Sequence, residues 1–368
     1  MQGVFFDDFK YLGVDDPQFL TMGWTVREGS GLPGVTGCGW SKENITFTDD
    51  PDKHGNRFLR LTAKTDGTGA GTSQAELYHK RKFHEGTYAA RVRFNDAPAL
   101  GPRGDQIVET FFTITMGFEG NDNYSEIDFE YLPNGGWGGT GPAFYQTTWI
   151  KVIPEPWEGD RIYNSQPGSL DGWHTLVCTA KDGHVKYYID GVLLADHTDK
   201  YYPKVPMSIN FNLWYINGGL LNSGDTRSYQ EDIDWVCFVE DQALDNEQVN
   251  ELVDGYRKAQ ITRLDSVTAN TGDIPAAAVF DIGKKKNNGD YKIKIIIPAK
   301  SLATSVKLYE NERLVFVKPV IPSLSREKIF TYQVKNKPRG KYSYKANTAN
   351  RNGICSSAIL VVDVPGGD

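Results

Sequence analysis

Glu126-Ile127-Asp128-Phe129-Glu130 is the stretch on which the reading of this chain turns. Side chains on a β-strand alternate between faces. Glu126, Asp128 and Glu130 therefore point one way, and Ile127 and Phe129 point the other way, into a core. Carboxylates in a row on one face repel one another and resist ionising together. Structure alone gives a strand little reason to carry them. One chemistry does: cleavage of a glycosidic bond uses one carboxylate as nucleophile and one carboxylic acid as proton donor. The middle Asp is placed to hydrogen-bond with both. The competing reading is a solvated strand face, and the surrounding sequence decides between them.

Segments rich in Val, Ile, Thr, Phe and Tyr recur between turn clusters such as Asn134-Gly135-Gly136, Lys181-Asp182-Gly183 and Asp190-Gly191. That pattern predicts an all-β protein. A length of 368 residues is long for one core and comfortable for two domains. No apolar run approaches the ~18 residues that span a bilayer. Met1-Gln2 runs directly into Val4-Phe5-Phe6 without a basic segment, so the sequence carries no signal-peptide pattern. Four cysteines, Cys38, Cys178, Cys237 and Cys355, allow two disulfides in any of three connectivities. Cys178 and Cys237 lie in strand-like runs and read equally well as buried thiols. No Cys/His spacing resembles a zinc site, and no glycine-rich phosphate loop is present.

Charge divides the chain. Residues 263–368 carry 18 Lys and Arg against 9 Asp and Glu, whereas residues 1–262 carry 22 against 38. All eight tryptophans and all six histidines precede residue 262. Two composition regimes predict two domains. At the join, Val249, Leu252, Val253 and Tyr256 recur at helical spacing within 244–257. Asp245 followed by Gln248 reads as the capping box that opens this helix. Beyond 263, strands are expected at Tyr291–Ile297, Ser305–Tyr309, Arg313–Val317, Ile329–Val334, Gly340–Thr348 and Ala358–Val364, with Glu310-Asn311-Glu312 at a hairpin tip.

Upstream of the acids runs Asp105-Gln106-Ile107-Val108-Glu109-Thr110-Phe111-Phe112-Thr113. Downstream come Trp173-His174-Thr175-Leu176, Val185-Lys186-Tyr187-Tyr188-Ile189-Asp190-Gly191, Asn212-Leu213-Trp214 and Asp234-Trp235-Val236. With Ala75-Glu76-Leu77 and Phe83-His84-Glu85-Gly86-Thr87-Tyr88, this order and spacing over about residues 4–240 resembles glycoside hydrolase family 16. The resemblance implies a concanavalin-like β-jelly-roll sandwich for residues 1–243, then a helix and linker over 244–262. Residues 126 and 130 lie roughly 13 Å apart along a straight strand. Retaining hydrolysis needs carboxyl groups about 5–5.5 Å apart, so the expected strand bends toward its ligand.

Residue by residue, the resemblance makes Glu126 the nucleophile, Glu130 the general acid/base and Asp128 the assisting acid between them. The uninterrupted triplet is similar to that of the lichenase and xyloglucan branch. Glu76, Tyr124, Gln146, Thr148, Trp149, Asn212 and Trp214 are the implied sugar contacts, with Trp137 a candidate at a loop rim. His174 is implied to be structural. Asp234 matches an Asp that often helps hold a structural Ca²⁺ through oxygen ligands, and no cofactor is implied for catalysis. Asn336-Lys337-Pro338-Arg339-Gly340-Lys341-Tyr342-Ser343-Tyr344, followed by Asn350-Arg351-Asn352-Gly353, resembles immunoglobulin-like modules appended to bacterial chitinases and glucanases. Residues 263–368 are therefore expected to form a small immunoglobulin-like β-sandwich. Lacking Trp, this module reads as a spacer or stability element ahead of a carbohydrate-binding one. Its basic charge offers a means of contacting an anionic cell wall.

The expected function is retaining, endo-acting hydrolysis of a β-1,3-1,4- or β-1,3-glucan by a secreted, extracellular monomer. Neither nucleic acid nor a membrane is expected as a partner. Transglycosylation, the same mechanism on another polysaccharide, and a lectin-like role without catalysis are the alternatives. The last is disfavoured because all three acids are present.

Overall fold

The structure is a computed structural model describing residues 3–115, 124–154, 157–268, 275–286, 288–311, 313–323, 325–350 and 353–364. Glu312, Arg351 and Asn352, quoted above, lie outside the described residues, as do Met1 and Gln2. The chain divides into two units, Met1–Ala269 and Asn270–Asp368.

The first unit is an all-β sandwich of two sheets, consistent with a jelly roll. The acids lie on the strand Glu126–Leu132. In its sheet, Trp24–Val26, Ser73–His79, Ser208–Tyr215, Ile107–Ile114, Glu126–Leu132, Ala143–Pro154 and Trp157–Pro167 stand side by side, every neighbouring pair antiparallel. The opposite sheet runs Val192–His197, His184–Ile189, Gly172–Lys181, Gly86–Phe94 and Arg227–Glu240. The other edge of Arg227–Glu240 is paired by Arg57–Thr65 along its first half and by Val4–Asp7 along its second.

Alternation along the acid-bearing strand decides what fills the space between the sheets. Ile127, Phe129 and Tyr131 are buried there. The Phe129 ring lies near-parallel to Phe111 at 6.1 Å and to Phe144 at 5.8 Å, with Tyr187 edge-on at 5.2 Å. Apolar residues at every second position on adjacent strands thus build a ladder of rings, and the acids face away from it.

The helix Asn246–Lys258 opens on the expected Asp245–Gln248 capping box. It packs Val249 and Val253 over Phe6, Ala89, Val177, Trp235 and Cys237. The first unit extends past the joint expected at 262/263, because Arg263–Asp265 still pairs with Val4–Asp7. No disulfide forms among the described residues, and Cys38, Cys178 and Cys237 are buried thiols.

The second unit has one sheet of Val279–Ile282, Tyr291–Ile297 and Lys328–Val334. Its other sheet is built from Arg313–Pro319, Ser305–Glu310, Gly340–Asn350, Gly353–Ser356 and Leu360–Val364. Its own core includes Ile293, Ile295, Val306, Leu308, Tyr344 and Ala346. Asn311 takes a positive φ of 44° at the expected hairpin tip, a conformation that Asn tolerates. No helix among the described residues is long and apolar enough to cross a membrane.

Candidate active site

Residues directly opposite one another in antiparallel strands share a face, so the register lays out the site. Glu126 is flanked by Ile114 and Trp149, Asp128 by Phe112 and Thr147, and Glu130 by Thr110 and Tyr145. Beyond Thr110 come Asn212 and then Glu76. Trp214, two residues after Asn212, projects to the same face. Asp128, Thr110, Thr147, Asn210 and Asn212 are buried although they point away from the sandwich core. Neighbouring groups therefore rise over them, and the acids stand at the floor of a depression.

Hydrogen bonds distinguish the three acids. The Tyr124 hydroxyl donates to Glu126 Oε2 at 2.5 Å. Thr147 Oγ1 donates more weakly to Glu130 Oε2, at 3.3 Å. The Trp149 indole donates to Asp128. Burial raises all three carboxyls above their ordinary range. Glu126 is pushed up to about 7 by burial, opposed by the Tyr124 hydroxyl and reinforced by the charge of Glu76. Glu130 is pushed to about 8 by burial, reinforced by Glu126 and opposed by the Thr147 hydroxyl and Arg161. Burial also raises Asp128 well above the usual carboxylate range, with both glutamates adding to the effect. Such a cluster titrates as a unit: at neutral pH it holds protons, and Glu126 has the shorter hydrogen bond to stabilise its anion.

The expected site residues divide. Glu76, Tyr124, Trp149, Asn212 and Trp214 gather with the acids. Arg27 Nη1 donates to Glu76 Oε2 at 2.7 Å and stacks over Trp40 at 4.1 Å. Thr110 Oγ1 donates to Asn212 Oδ1. Trp137 lies exposed beside this face, its ring edge-on to Tyr145 at 5.1 Å.

Gln146 and Thr148 do not join them. Gln146 pairs with Phe129 and Thr148 with Ile127, so both point into the core. Gln146 is fully buried and its Nε2 donates to Phe144 O at 3.3 Å. Thr148 Oγ1 bonds to Tyr187 and to His197 Nδ1. The expectation that they contact sugar is corrected by strand parity: residues beside Trp149 cannot share its face.

Asp234 is also corrected. It lies on the opposite sheet, where Asn56 Nδ2 and Arg257 Nη2 each donate to its Oδ1 at 2.8 Å, and Arg257 Nη1 donates to its Oδ2 at 3.1 Å. Arg257 Nε also donates to Asp8 Oδ1 at 2.7 Å. A guanidinium stands between the two carboxylates, so these residues do not fit a divalent cation. No group of three or more potential ligand side chains is found among the described residues. His174 is structural as expected, its ring nitrogens engaged by Asp190 Oδ2 at 2.7 Å and Leu170 O at 3.1 Å.

Arg27, Tyr145, Thr147, Arg161 and Tyr163 are site residues that sequence reading missed. For Tyr145 and Thr147 the signal was available: counting back by twos from Trp149 reaches both. Arg161 and Tyr163 required the register of the next strand, which no local pattern gives.

The chain is similar to several known proteins. Residues 36–237 match the family model described as Glycosyl hydrolases family 16. A beta-glucanase of Paenibacillus macerans is 29% identical over 225 residues, covering 58% of this chain and 82% of that protein. The endo-1,3-1,4-beta-glycanase ExoK of Rhizobium meliloti (strain 1021) is 26% identical over 215 residues, covering 57% and 68%. Among solved structures, a Bacillus licheniformis beta-glucanase aligns with a TM-score of 0.47 at 21% identity, covering 64% of this chain and 97% of that one.

Proposed function

Since this chain belongs to glycosyl hydrolases family 16 and is a glycoside hydrolase, we propose that it is a retaining, endo-acting β-glucanase cleaving β-1,3-1,4- or β-1,3-glucan. The observation that carries this reading is the asymmetry between two glutamates on one face. Glu126 accepts a hydroxyl hydrogen bond that favours its anion, while Glu130 holds its proton to higher pH. Glu126 then attacks the anomeric carbon as Glu130 passes its proton to the departing glycosidic oxygen, and the C–O bond to that oxygen breaks. Glu130, now ionised, takes a proton from water as that water displaces Glu126 and releases the sugar. Asp128 stands between them, hydrogen-bonded to the Trp149 indole and raised by burial and by the charges of both glutamates.

The glucan substrate rests on the β-glucanase activities named for the relatives, together with Glu76, Asn212 and Trp214 on the acid-bearing face. A polymeric substrate implies a secreted enzyme, and we read it as a monomer. The second unit, with two packed sheets and a basic composition, serves as an immunoglobulin-like spacer that contacts an anionic cell wall. Product analysis on lichenan, laminarin, xyloglucan and agar tests the reading. Oligosaccharides from lichenan or laminarin, with an early fall in viscosity, are expected. Release of glucose alone, or turnover confined to agar, would contradict it.

A further inference from the structure

At one edge of the acid-bearing sheet, the strands Ala143–Pro154 and Trp157–Pro167 carry a run of rings with the guanidinium of Arg161 among them. The register continues outward from the acids: Trp149 faces Arg161, and Thr147 faces Tyr163. The Arg161 guanidinium lies 4.4 Å from the Trp149 ring centre and 5.3 Å from that of Tyr163. Trp157 meets Trp149 at 6.1 Å, and Tyr145 links Tyr163 to Trp137. Trp157 is 64% exposed, Tyr163 53% and Trp137 46%. An exposed, contiguous aromatic surface continuous with a catalytic face marks a binding surface.

Among the described residues of this hairpin, the other charges are paired. Lys151 pairs with Glu158, and Lys200 pairs with Asp160 at 2.6 Å. Arg161 is exposed and has no ion-pair partner among the described residues. Stacking holds its plane still while its N–H fork stays open, the arrangement suited to gripping a planar carboxylate or a sulfate in two places. Its backbone stands two strands from that of Glu126, roughly 10 Å away, to one side of the acids on the same face.

We infer that Arg161 makes this enzyme select a glucan bearing anionic substituents, with the substituted sugar lying along the exposed Tyr163 ring beside the guanidinium. This rests on the glucanase reading above. Uronate-type carboxylates and sulfate esters share the chemistry that the guanidinium recognises.

The test compares wild type, Arg161→Gln and Arg161→Lys on three forms of one mixed-linkage glucan: unmodified, partly carboxylated and partly sulfated. Each variant is assayed at its own pH optimum, because Arg161 also favours ionised Asp128 and Glu130. The readout is kcat/KM on each anionic form relative to the unmodified one. Wild type is expected to prefer at least one anionic form, and which one identifies the substituent. In Arg161→Gln that preference should fall about tenfold, through KM, and Arg161→Lys should keep part of it. High salt should erode the preference in wild type and in Arg161→Lys, and leave Arg161→Gln unchanged. A wild-type enzyme indifferent to charge, or a ratio unchanged in Arg161→Gln, overturns the inference. If wild type cleaves none of the three, the glucanase reading fails instead.

Discussion

One hydroxyl separates the two glutamates at the residue scale. Tyr124 donates to Glu126 and so favours its ionised, nucleophilic form. Activity requires Glu126 ionised while Glu130 keeps its proton, so the rate should be bell-shaped in pH, with both limbs above the ordinary carboxylate range. In Tyr124→Phe the anion of Glu126 loses its donor and its pKa rises further. The acid limb of kcat/KM should then move up by about one unit, equivalent to about 1.4 kcal/mol. An acid limb that stays in place would show that Tyr124 does not tune the nucleophile. The three acids were legible in the sequence because alternation alone puts them on one face. Gln146 and Trp149 could not both be right on the same rule, since an odd separation along a strand places them on opposite faces. Resemblance to relatives named the strand, and parity had to name the residues.

Among whole strands and sheets, a second carboxylate pair lies behind the site, between the two sheets. Glu109 shares its face with Phe111, and Glu231 comes from the opposite strand Arg227–Glu240. Both are fully buried. Glu109 Oε2 accepts from Asn95 N at 3.1 Å. Burial raises both carboxyls well above the usual range; Glu231, Asp232 and Asp96 reinforce the effect on Glu109, and Asp232 that on Glu231. Asp232 is itself paired with Arg60 at 2.7 Å. With folded pKa values raised, the pair's stabilising protonated form is fully present below the unfolded pKa of about 4.3. That stability is lost as pH rises through the folded values. Glu231→Gln mimics the neutral acid and should raise the melting temperature at neutral pH by about 2–4 °C. The gain should vanish near pH 4, and a gain independent of pH would contradict the account. Nothing in Gln230-Glu231-Asp232-Ile233 signalled this pair, because it exists only where one sheet packs on the other.

For the whole molecule, composition separated the two units, but it placed their joint too early. Arg263–Asp265 belongs to the first unit through backbone pairing, to which charge counting is blind. The helix Asn246–Lys258 likewise does more than bridge. Its Arg257 fills the position where a cation was expected, between Asp8 and Asp234. Chelator or added Ca²⁺ should therefore leave the wild-type melting temperature unchanged. Arg257→Ala removes the guanidinium shared by two buried carboxylates, leaving Asp8 to Lys10 and Asp234 to Asn56 and Arg91, and should cost about 1.5–3 kcal/mol, read by calorimetry. A wild-type melting temperature lowered by EDTA would restore the cation. The central claim is retention by two successive displacements, and proton NMR of the wild-type enzyme during the first minutes of mixed-linkage glucan cleavage tests it most directly. New reducing ends should appear first as the β-anomer and only later equilibrate with the α-anomer. The α-anomer appearing first would mean direct attack by water, and Glu126 would not be the nucleophile.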